Sequence, residues 1–360
     1  MGTTTLTRTL HLESTFDTVE LIKASPLNAE ARPEALTEAL TPADAFFIRT
    51  NFDIPAIDPA RFGLEVSGLV ARPGRWALAR LSALGTAREV VTVECAGNGR
   101  VTMAPLAPGE LWSGGAVSTA SRGGIPLSAL LAEVAPATGA THVHFEGADL
   151  GVVRDRGGDP IHFVRSLSLA DAMRAEVMLA TEMNDEPLAR EHGAPLRLIV
   201  PGWYGMASVK WLQRIVLTNG PTDGWFQRDR YVYQAAAGGE AIPVTRMKVK
   251  SRIVAPATGA LLPRGTVRVQ GWAWSGEAPI AGVEVAIGGG DWWHEAELGP
   301  DLGPYAWRAF SYTFQAREIG RQVLRARARD RRGNIQPAEA PSNRLGYGNN
   351  AIEPVILTIG

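Results

Sequence analysis

The first 235 residues combine two hydrophobic patterns, one with helical spacing and one with the spacing of strands. Short Ala- and Leu-rich segments with helical spacing occur at residues 78–84, 127–133 and 169–176. Strand-like runs occur at residues 89–94, 142–146, 196–200 and 214–218. Many Gly and Pro residues separate these segments, so the pattern predicts an α+β domain with long functional loops.

The pattern changes after a connector of small residues at 234–243, which reads QAAAGGEAIP. Apolar residues then alternate within residues 266–274 (TVRVQGWAW), and further strand-like runs follow at 283–287, 306–314 and 322–328. Alternating strands with glycine-rich turns predict an all-β, immunoglobulin-like sandwich, with the tryptophans near residues 272–293 in its core. We therefore predict two domains, at residues 1–243 and 244–360.

Composition and charge are those of a soluble globular protein. Of the 360 residues, 45% are apolar and 20% are charged, and the formal net charge is -1. This balance gives no reason to expect nucleic acid or an anionic membrane as a partner. No apolar window reaches the length of a membrane span, and residues 1–17 show no signal-peptide pattern. We therefore expect a cytoplasmic protein.

The chain has one cysteine, Cys95, which excludes an intramolecular disulfide and any four-cysteine metal site. It lies in the segment TVECAGNGR (residues 92–100), where a β-branched run is followed at once by a turn of small residues. These leave room for a bulky group beside the sulfur, and a thiolate suits a soft metal centre. A lone cysteine is more often a small buried apolar residue, so the neighbouring segments must decide.

Two other groups of metal-ligating residue types are weaker candidates. His142 and His144 alternate on one strand face, but no third ligand lies at a useful spacing. Asp149, Asp155 and Asp159 fall in a glycine-rich loop, and their spacing does not fit an EF-hand. Neither group predicts a metal site as well as the cysteine segment does.

The cysteine segment resembles the motif of the sulfite oxidase family, in which this cysteine binds molybdenum carried by a pyranopterin dithiolene. Further segments resemble that family in the same order: residues 46–55 (FFIRTNFDIP), 64–76 (LEVSGLVARPGRW), 111–119 (LWSGGAVST), 145–149 (FEGAD), 190–212 (REHGAPLRLIVPGWYGMASVKWL), 271–276 (GWAWSG), 329–334 and 346–350. The resemblance implies a sulfite-oxidase-type molybdopterin-binding domain followed by a dimerisation domain.

The resemblance also implies a role for individual residues. Cys95 corresponds to the protein ligand of the molybdenum. The positions that hold the cofactor correspond to Phe47, Ile48, Arg49, Thr50, Asn51, Asp149, His192, Arg197, Ser208, Val209 and Lys210. The substrate pocket corresponds to Arg49, Arg100, Trp112, Phe163 and its neighbour His162. A pterin with an anionic tail needs fixed cations and backbone donors, which Arg197, Lys210 and the Gly-containing loop between them can provide.

The function implied by the resemblance is oxidation of sulfite to sulfate by a homodimer. The chain has no haem-attachment motif, so we expect electrons to pass to a separate acceptor such as cytochrome c. Two alternatives stay open. One is nitrate or sulfoxide reduction on the same cofactor, and the other is an interaction module that has lost the cofactor.

The sequence departs from the family in the expected substrate pocket. Family members usually carry a tyrosine at the position of Phe163, and an arginine often occurs at the position of Gly99. The loss of a phenolic donor and a positive charge predicts weaker sulfite binding. His162 would offset this loss if its ring, when protonated, replaced the missing donor.

Overall fold

The computed structural model describes residues 17–235 and 237–360. The prediction that residues 1–17 contain no signal peptide falls on residues outside the described ones, except for residue 17. Residue 236 of the predicted connector also lies outside them. Described helices are few and short: α1 (Leu78–Ser82), α2 (Leu127–Val134) and α3 (Leu169–Ala172). None of the described helices is long and apolar enough to cross a membrane.

The strands of the N-terminal domain are β1 (Val19–Lys23), β2 (Asn28–Ala31), β3 (Ile48–Arg49), β4 (Leu64–Gly68), β5 (Gly74–Trp76), β6 (Ala87–Glu94), β7 (Val117–Pro126), β8 (His142–Gly151), β9 (Ile161–Ser168), β10 (Met178–Met183), β11 (Glu186–Pro187), β12 (Arg197–Ile199), β13 (Leu212–Thr218), β14 (Val232–Tyr233) and β15 (Ile242–Pro243). The four strands predicted here are confirmed as β6, β8, β12 and β13. The last two strands pair with each other, so the end of the predicted connector forms a short hairpin.

Two five-stranded sheets form the body of this domain. One has the order β11-β10-β7-β6, with β12 also paired to β10, and the other has the order β5-β4-β13-β8-β9. The small sheet β1-β2-β3 packs beside them. Helix α2 buries Leu127, Leu130 and Leu131 in the main apolar cluster. Burial of these side chains stabilises the domain by roughly 1.5–3 kcal/mol each.

The helix content is lower than the α+β prediction implied, and the domain is mostly β. The helix expected at residues 169–176 ends at Ala172 after a single turn. The Leu127 N–H donates to the Val177 carbonyl (3.0 Å), and β10 begins at the next residue. Sheet pairing has therefore overridden the local helix propensity of these residues.

The strands of the C-terminal domain are β16 (Lys250–Ala255), β17 (Leu261–Leu262), β18 (Gly265–Trp274), β19 (Ile280–Ile287), β20 (Trp293–Glu295), β21 (Glu297–Leu298), β22 (Arg308–Ala316), β23 (Gly320–Asp330) and β24 (Val355–Ile359). They form two sheets, β16-β18-β22-β21 and β17-β24-β23-β19-β20. An apolar cluster that includes Val269, Val283 and Leu324 is built from strands of both sheets. The four strands predicted in this domain are confirmed as β18, β19, β22 and β23.

The sandwich-core prediction was wrong for the tryptophans of β18. Trp272 and Trp274 belong to the main apolar cluster of the N-terminal domain. Trp272 stacks on Trp307 with 4.4 Å between ring centroids, and its indole N–H donates to the Leu36 carbonyl (2.7 Å). A polar indole N–H needs a partner when it is buried, and the N-terminal domain supplies one. The tryptophans therefore join the two domains.

Glu94 connects the domain interface to the cysteine. This buried carboxylate accepts a hydrogen bond from the Trp274 indole (2.9 Å) and lies 3.6 Å from the Lys250 ammonium. Burial raises the pKa of Glu94, and the charge of Lys250 opposes that rise. Because Glu94 directly precedes Cys95, the C-terminal domain helps to fix where the thiol lies.

Candidate active site

Cys95 lies at the carboxyl end of β6, in a turn held by four hydrogen bonds. Its N–H donates to the Ala116 carbonyl (2.8 Å), and its own carbonyl accepts from the Asn98 N–H (2.9 Å). The Asn98 side chain accepts from the Ala116 N–H (3.1 Å) and donates to Glu94 (3.0 Å). The buried thiol is free of any disulfide and borders a cavity. The small-residue turn predicted around the sulfur is therefore present and rigidly held.

The cavity beside Cys95, called here the central cavity, brings together residues from distant parts of the chain. Its lining includes these positions predicted from the sequence: Phe47, Arg49, Thr50, Asn51, Cys95, Asp149, Phe163, His192, Arg197, Ser208 and Lys210. They come from β3 and the residues around it, from the end of β6, from β8 and β9, and from β12 and its flanking loops. The structure therefore collects most of the predicted site in one place, while the role of each residue stays a prediction.

Arg197 and Lys210 lie buried on one side of the central cavity. The Arg197 guanidinium donates to the carbonyls of His192 (2.8 Å) and Ser208 (3.0 Å), and its Nε has no partner among the described residues. The Lys210 ammonium donates to the Glu191 carbonyl (2.7 Å). Both cations are thus oriented by backbone carbonyls, and neither has an ion pair with a carboxylate in the described part of the chain.

Arg122 on β7 is a third buried cation here, and sequence analysis missed it. It is 0% exposed, and none of its guanidinium nitrogens has a hydrogen-bond partner among the residues described. Its guanidinium carbon lies 4.7 Å from the ring centroid of Phe46, which lines the central cavity. Arg122, Arg197 and Lys210 are called the cation cluster below.

Without a bound anion, the positive charges of the cation cluster are destabilised by burial and by their mutual repulsion. Burial lowers the pKa of Arg197 to about 10, and burial with repulsion from Arg197 holds the pKa of Arg122 and Lys210 well below their usual values. Burial and the charge of Arg122 also lower the pKa of His192 to about 3, so its ring is neutral. Buried charges require compensation, so an anion bound in the central cavity would stabilise this arrangement.

Asp149 supplies a carboxylate at the edge of the central cavity. Burial raises its pKa to about 6, and the charge of Lys210 opposes this rise. Gly147 keeps the space beside it open, because an added Cβ there would lie 2.4 Å from a carboxylate oxygen of Asp149. A ligand that donates N–H groups to Asp149 would stabilise the charged carboxylate.

The raised pKa of Asp149 makes a pH-dependent prediction for protein without a bound ligand. The native state binds more protons than the unfolded state between pH ~4 and ~6, so this residue's contribution to the free energy of unfolding falls as pH rises through that window, by about 3 kcal/mol. Denaturant unfolding of ligand-free wild type and Asp149→Asn at pH 4 and pH 7.5 measures it. The variant should be less sensitive to pH, and an identical pH dependence in both proteins would contradict the prediction.

Arg49 provides a fixed positive charge that lines the central cavity together with Cys95 and acts on the thiol. It is half-buried at the end of β3 and donates to the Asn51 side chain (2.9 Å). Burial acts to lower its pKa, but the nearby Tyr231 and Cys95 outweigh this effect and raise it. Arg49 has no ion pair with a carboxylate in the described chain, which leaves its charge available to an anion in the cavity.

Arg100 and Trp112 do not line the central cavity, so their place in the substrate pocket stays a prediction. Arg100 is enclosed, and its guanidinium donates to the carbonyls of Glu110 (2.6 Å) and Leu345 (3.0 Å). Trp112 is 0% exposed in the apolar cluster that contains Cys95. Closeness to the cysteine in sequence did not show which way these side chains point. Both side chains are buried close to the cysteine turn but outside the lining of the cavity.

Three further predicted residues face away from the central cavity. His162 precedes Phe163 on β9, and neighbouring strand residues point to opposite faces, so only Phe163 reaches the cavity. The His162 Nδ1 lies 3.2 Å from the Asp149 carbonyl oxygen. Ile48 and Val209 are buried in apolar clusters. The prediction that His162 replaces the missing phenol is therefore not supported by its position.

A tyrosine that sequence analysis missed occupies the cavity instead. Tyr231 lines it, and its hydroxyl donates to the Asn51 side chain (3.4 Å). Its ring lies 6.2 Å from that of Phe163, and Tyr231 raises the pKa of Arg49. Tyr231 follows a turn of π-helix, Phe226–Arg230, far in sequence from the segment searched for a phenol.

His144, one of the weaker metal-ligand candidates, hydrogen-bonds to other groups. The His144 Nε2 lies 2.9 Å from the Gly220 carbonyl oxygen and 3.0 Å from the Thr218 hydroxyl. Within residues 17–235 and 237–360, no group of three or more His, Cys, Asp or Glu side chains is arranged to hold a metal. A metal at the central cavity would therefore depend on Cys95 and on ligand atoms that the cofactor brings.

Comparison with known proteins identifies the class of protein. The family model described as "Oxidoreductase molybdopterin binding domain" matches residues 51–226, and "Mo-co oxidoreductase dimerisation domain" matches residues 241–358. The chain is therefore a molybdopterin-dependent oxidoreductase. The first match lies within the predicted domain 1–243, and the second begins three residues before the predicted start of the second domain at residue 244. The exact domain limits remain predictions.

Individual relatives narrow this class to one family. The chain is 35% identical to a sulfite oxidase of Gallus gallus, over 87% of this chain and 71% of that protein. It is 30% identical to a sulfite oxidase of Arabidopsis thaliana, over 93% and 92%. The structure of the sulfane dehydrogenase SoxCD from Paracoccus pantotrophus matches with a TM-score of 0.85 and 26% identity, over 99% and 92%. The chain belongs to the sulfite oxidase family and is a sulfite oxidase- or dehydrogenase-like molybdenum enzyme.

The donor set of the central cavity fits a molybdenum-pterin cofactor. The cation cluster has buried donors without acceptors, as an anionic tail requires. The Asp149 carboxylate suits the amino nitrogens of a pterin. Cys95 offers the single soft ligand, and Gly205 lies so close to Val93 (3.0 Å to an added Cβ) that a side chain would crowd the cavity. The residues present therefore fit the cofactor of the family.

Proposed function

We propose that this enzyme oxidises sulfite to sulfate at a molybdenum centre held by Cys95, and that electrons leave to a separate acceptor such as cytochrome c. One observation carries the proposal: the free thiol, Arg49 without a described ion pair, and Arg197 and Lys210 of the cation cluster line the same cavity. The family membership supports it. Reduction of nitrate or sulfoxides is not favoured, and neither is an interaction module without the cofactor.

The protein's own part in the reaction is binding and orientation. When bound, the molybdenum cofactor supplies the two-electron oxo-transfer chemistry. Arg49 holds the sulfite anion through a charge that does not titrate at neutral pH. Asn51 orients the Arg49 guanidinium by accepting its hydrogen bond (2.9 Å). Phe163 lines the cavity, and its ring packs 4.7 Å from that of Phe226, so this side of the cavity is apolar and limits access of water.

Steady-state kinetics of the purified holoenzyme test the substrate assignment. We expect turnover with sulfite and a cytochrome c acceptor, and no turnover with nitrate or sulfoxides and a reduced electron donor. Turnover of a persulfide should also be measured, because the similar SoxCD structure is that of a sulfane dehydrogenase. A higher kcat/KM for nitrate, a sulfoxide or the persulfide than for sulfite would contradict sulfite as the substrate.

Tyr231 is expected to replace the phenol that is absent at Phe163. Its hydroxyl is 3.4 Å from Asn51 and can donate instead to an oxyanion beside Arg49. Tyr231→Phe should raise the KM for sulfite by about tenfold, because a hydrogen bond to a charged group is lost. The control is Tyr312→Phe in the C-terminal domain, where the ring stacks on His294. An unchanged KM in Tyr231→Phe would show that this hydroxyl does not contact the substrate.

The assembly, location and finer fold are also proposals. The match to a dimerisation domain at residues 241–358 supports a homodimer formed through the C-terminal domain. The two sheets around one apolar cluster support an immunoglobulin-like sandwich. We further propose that the chain carries no haem of its own and works in the cytoplasm, without a nucleic acid or membrane partner.

A further inference from the structure

A second cavity, called here the outer cavity, adjoins the central cavity. The two share Arg49 and Asn51 in their linings, so the Arg49 guanidinium borders both. The outer cavity is also lined by Leu150 and Val152, which are 51% and 54% exposed. It is therefore open to solvent, and it meets the central cavity, which Cys95 lines, at Arg49 and Asn51.

Arg230 places an uncompensated cation in the outer cavity. Its guanidinium carbon lies 5.8 Å from the ring centroid of Trp225, which also lines this cavity. Arg230 is only partly exposed, and it has no ion pair with any described carboxylate and no side-chain hydrogen bond to a described residue. A half-buried guanidinium with five free donors is a suitable ligand for a small oxyanion.

The other charged groups of the outer cavity are two cations and three carboxylates, which together carry one negative charge. Lys23 pairs with Glu110 (3.7 Å), and Asp53 accepts a hydrogen bond from Ser25 (3.1 Å). Arg154 and Asp155 are neighbours on an exposed loop, where solvent screens their charges. The positive field that remains in the cavity therefore comes mainly from the two arginines, Arg49 and Arg230.

The local fold explains why Arg230 faces outwards while its neighbour faces inwards. The π-helical turn Phe226–Arg230 ends where the Tyr231 N–H donates to the Phe226 carbonyl (3.4 Å). Tyr231 lines the central cavity, whereas Arg230 lines the outer one. Arg344 of the C-terminal domain donates to the Asp229 carbonyl (3.3 Å) and so anchors the turn. One anchored turn thus contributes a phenol to one cavity and a cation to the next.

We infer that Arg230 and Arg49 form an outer binding site for a small oxyanion, through which sulfite enters the central cavity and sulfate leaves it. The inference rests on the proposed function for the identity of the anion. A positive cleft raises the local concentration of an anionic substrate and its rate of association. Arg49 borders both cavities, so an anion held by Arg230 can transfer to Arg49 without returning to bulk water.

The test compares Arg230→Gln with Arg228→Gln in the holoenzyme. Arg228 is an exposed residue of the same turn and has no described ion pair, so it controls for the loss of one surface charge. We expect Arg230→Gln to raise the KM for sulfite and the inhibition constant of sulfate roughly tenfold, with kcat changed less than about twofold. Arg230→Lys should restore part of the affinity, and Arg228→Gln should behave as wild type.

Calorimetric titration of the holoenzyme with sulfate gives a second readout that needs no turnover. Wild type should bind sulfate, and Arg230→Gln should bind it about tenfold more weakly. This result would stand even if sulfite proved not to be the substrate, so the two proposals can fail separately. Equal effects of the two glutamine variants, or a fall in kcat at constant KM, would overturn the outer site.

Discussion

Cys95→Ser is expected to abolish sulfite oxidation while leaving the protein folded. Serine keeps the size of the side chain, and the turn around residue 95 is held by backbone and Asn98 hydrogen bonds that the substitution does not touch. A hard hydroxyl is a poor substitute for a soft thiolate on molybdenum. The loss of activity should exceed the roughly 10- to 100-fold loss that follows substitution of a residue that only hydrogen-bonds to a metal ligand.

Absorption spectroscopy separates this outcome from simple destabilisation. The sulfur-to-metal charge-transfer band should be absent in Cys95→Ser, while thermal unfolding should still show a cooperative transition. If Cys95 were only a buried apolar residue, the variant would be less stable but would keep the spectrum and most of its activity. An unchanged spectrum and rate would remove Cys95 from the metal site.

Arg197→Gln is expected to weaken retention of the cofactor by roughly 10- to 100-fold. The cation cluster lacks carboxylate partners, and Arg197 has a buried Nε that no described atom accepts from. Charge-assisted hydrogen bonds to an anionic tail contribute about 1.5–3 kcal/mol each, and 1.4 kcal/mol corresponds to a factor of ten. Glutamine keeps a donor for the neighbouring carbonyls but removes the charge.

The matched control for this variant is Arg214→Gln. Arg214 is an arginine of the same domain, on β13, and its side chain is 44% exposed at 3.7 Å from Glu65. Pterin released from purified protein can be measured by fluorescence for both variants after equal dialysis. If Arg197→Gln retains as much pterin as Arg214→Gln, the cation cluster does not hold the anionic part of the cofactor.

Much of the site could be predicted because its residues lie in short contiguous segments. Cys95 and its turn are encoded within nine residues, and the segment 190–212 carries His192, Arg197 and Lys210 together. The alternation of side chains along a strand also predicts that Phe163 and His162 point to opposite faces of β9. A period of two allows only one of these neighbours to face the cavity, so the sequence could have excluded His162.

The residues that were missed reach the site through long-range pairing. Arg122 is placed by β7, where it lies opposite Met183 on β10 and Glu89 on β6. The signal for it was an arginine inside a run of small residues, VSTASRGGIP, but only the sheet register shows that it is buried. Tyr231 reaches Phe163 across 68 positions of sequence (231 − 163). No local pattern specifies such a contact.

The prediction that Trp272 and Trp274 lie in the sandwich core was wrong because contacts distant in sequence decide where they pack. A period-two pattern in β18 correctly predicts a strand, but it does not say which neighbour covers each face. Trp274 donates to Glu94 of the other domain, so its position depends on how the two domains pack. The sequence of the C-terminal domain alone contained no information about that interface.

The most direct test of the central claim is the molybdenum content of purified wild-type protein and of Cys95→Ser. Both are produced with molybdate in a host that makes the pterin cofactor, and metal is measured by inductively coupled plasma mass spectrometry. We expect about one molybdenum atom per wild-type chain, and a large loss after dialysis of the variant. Wild-type protein without molybdenum and pterin, or a variant that keeps both metal and charge-transfer band, would contradict the account.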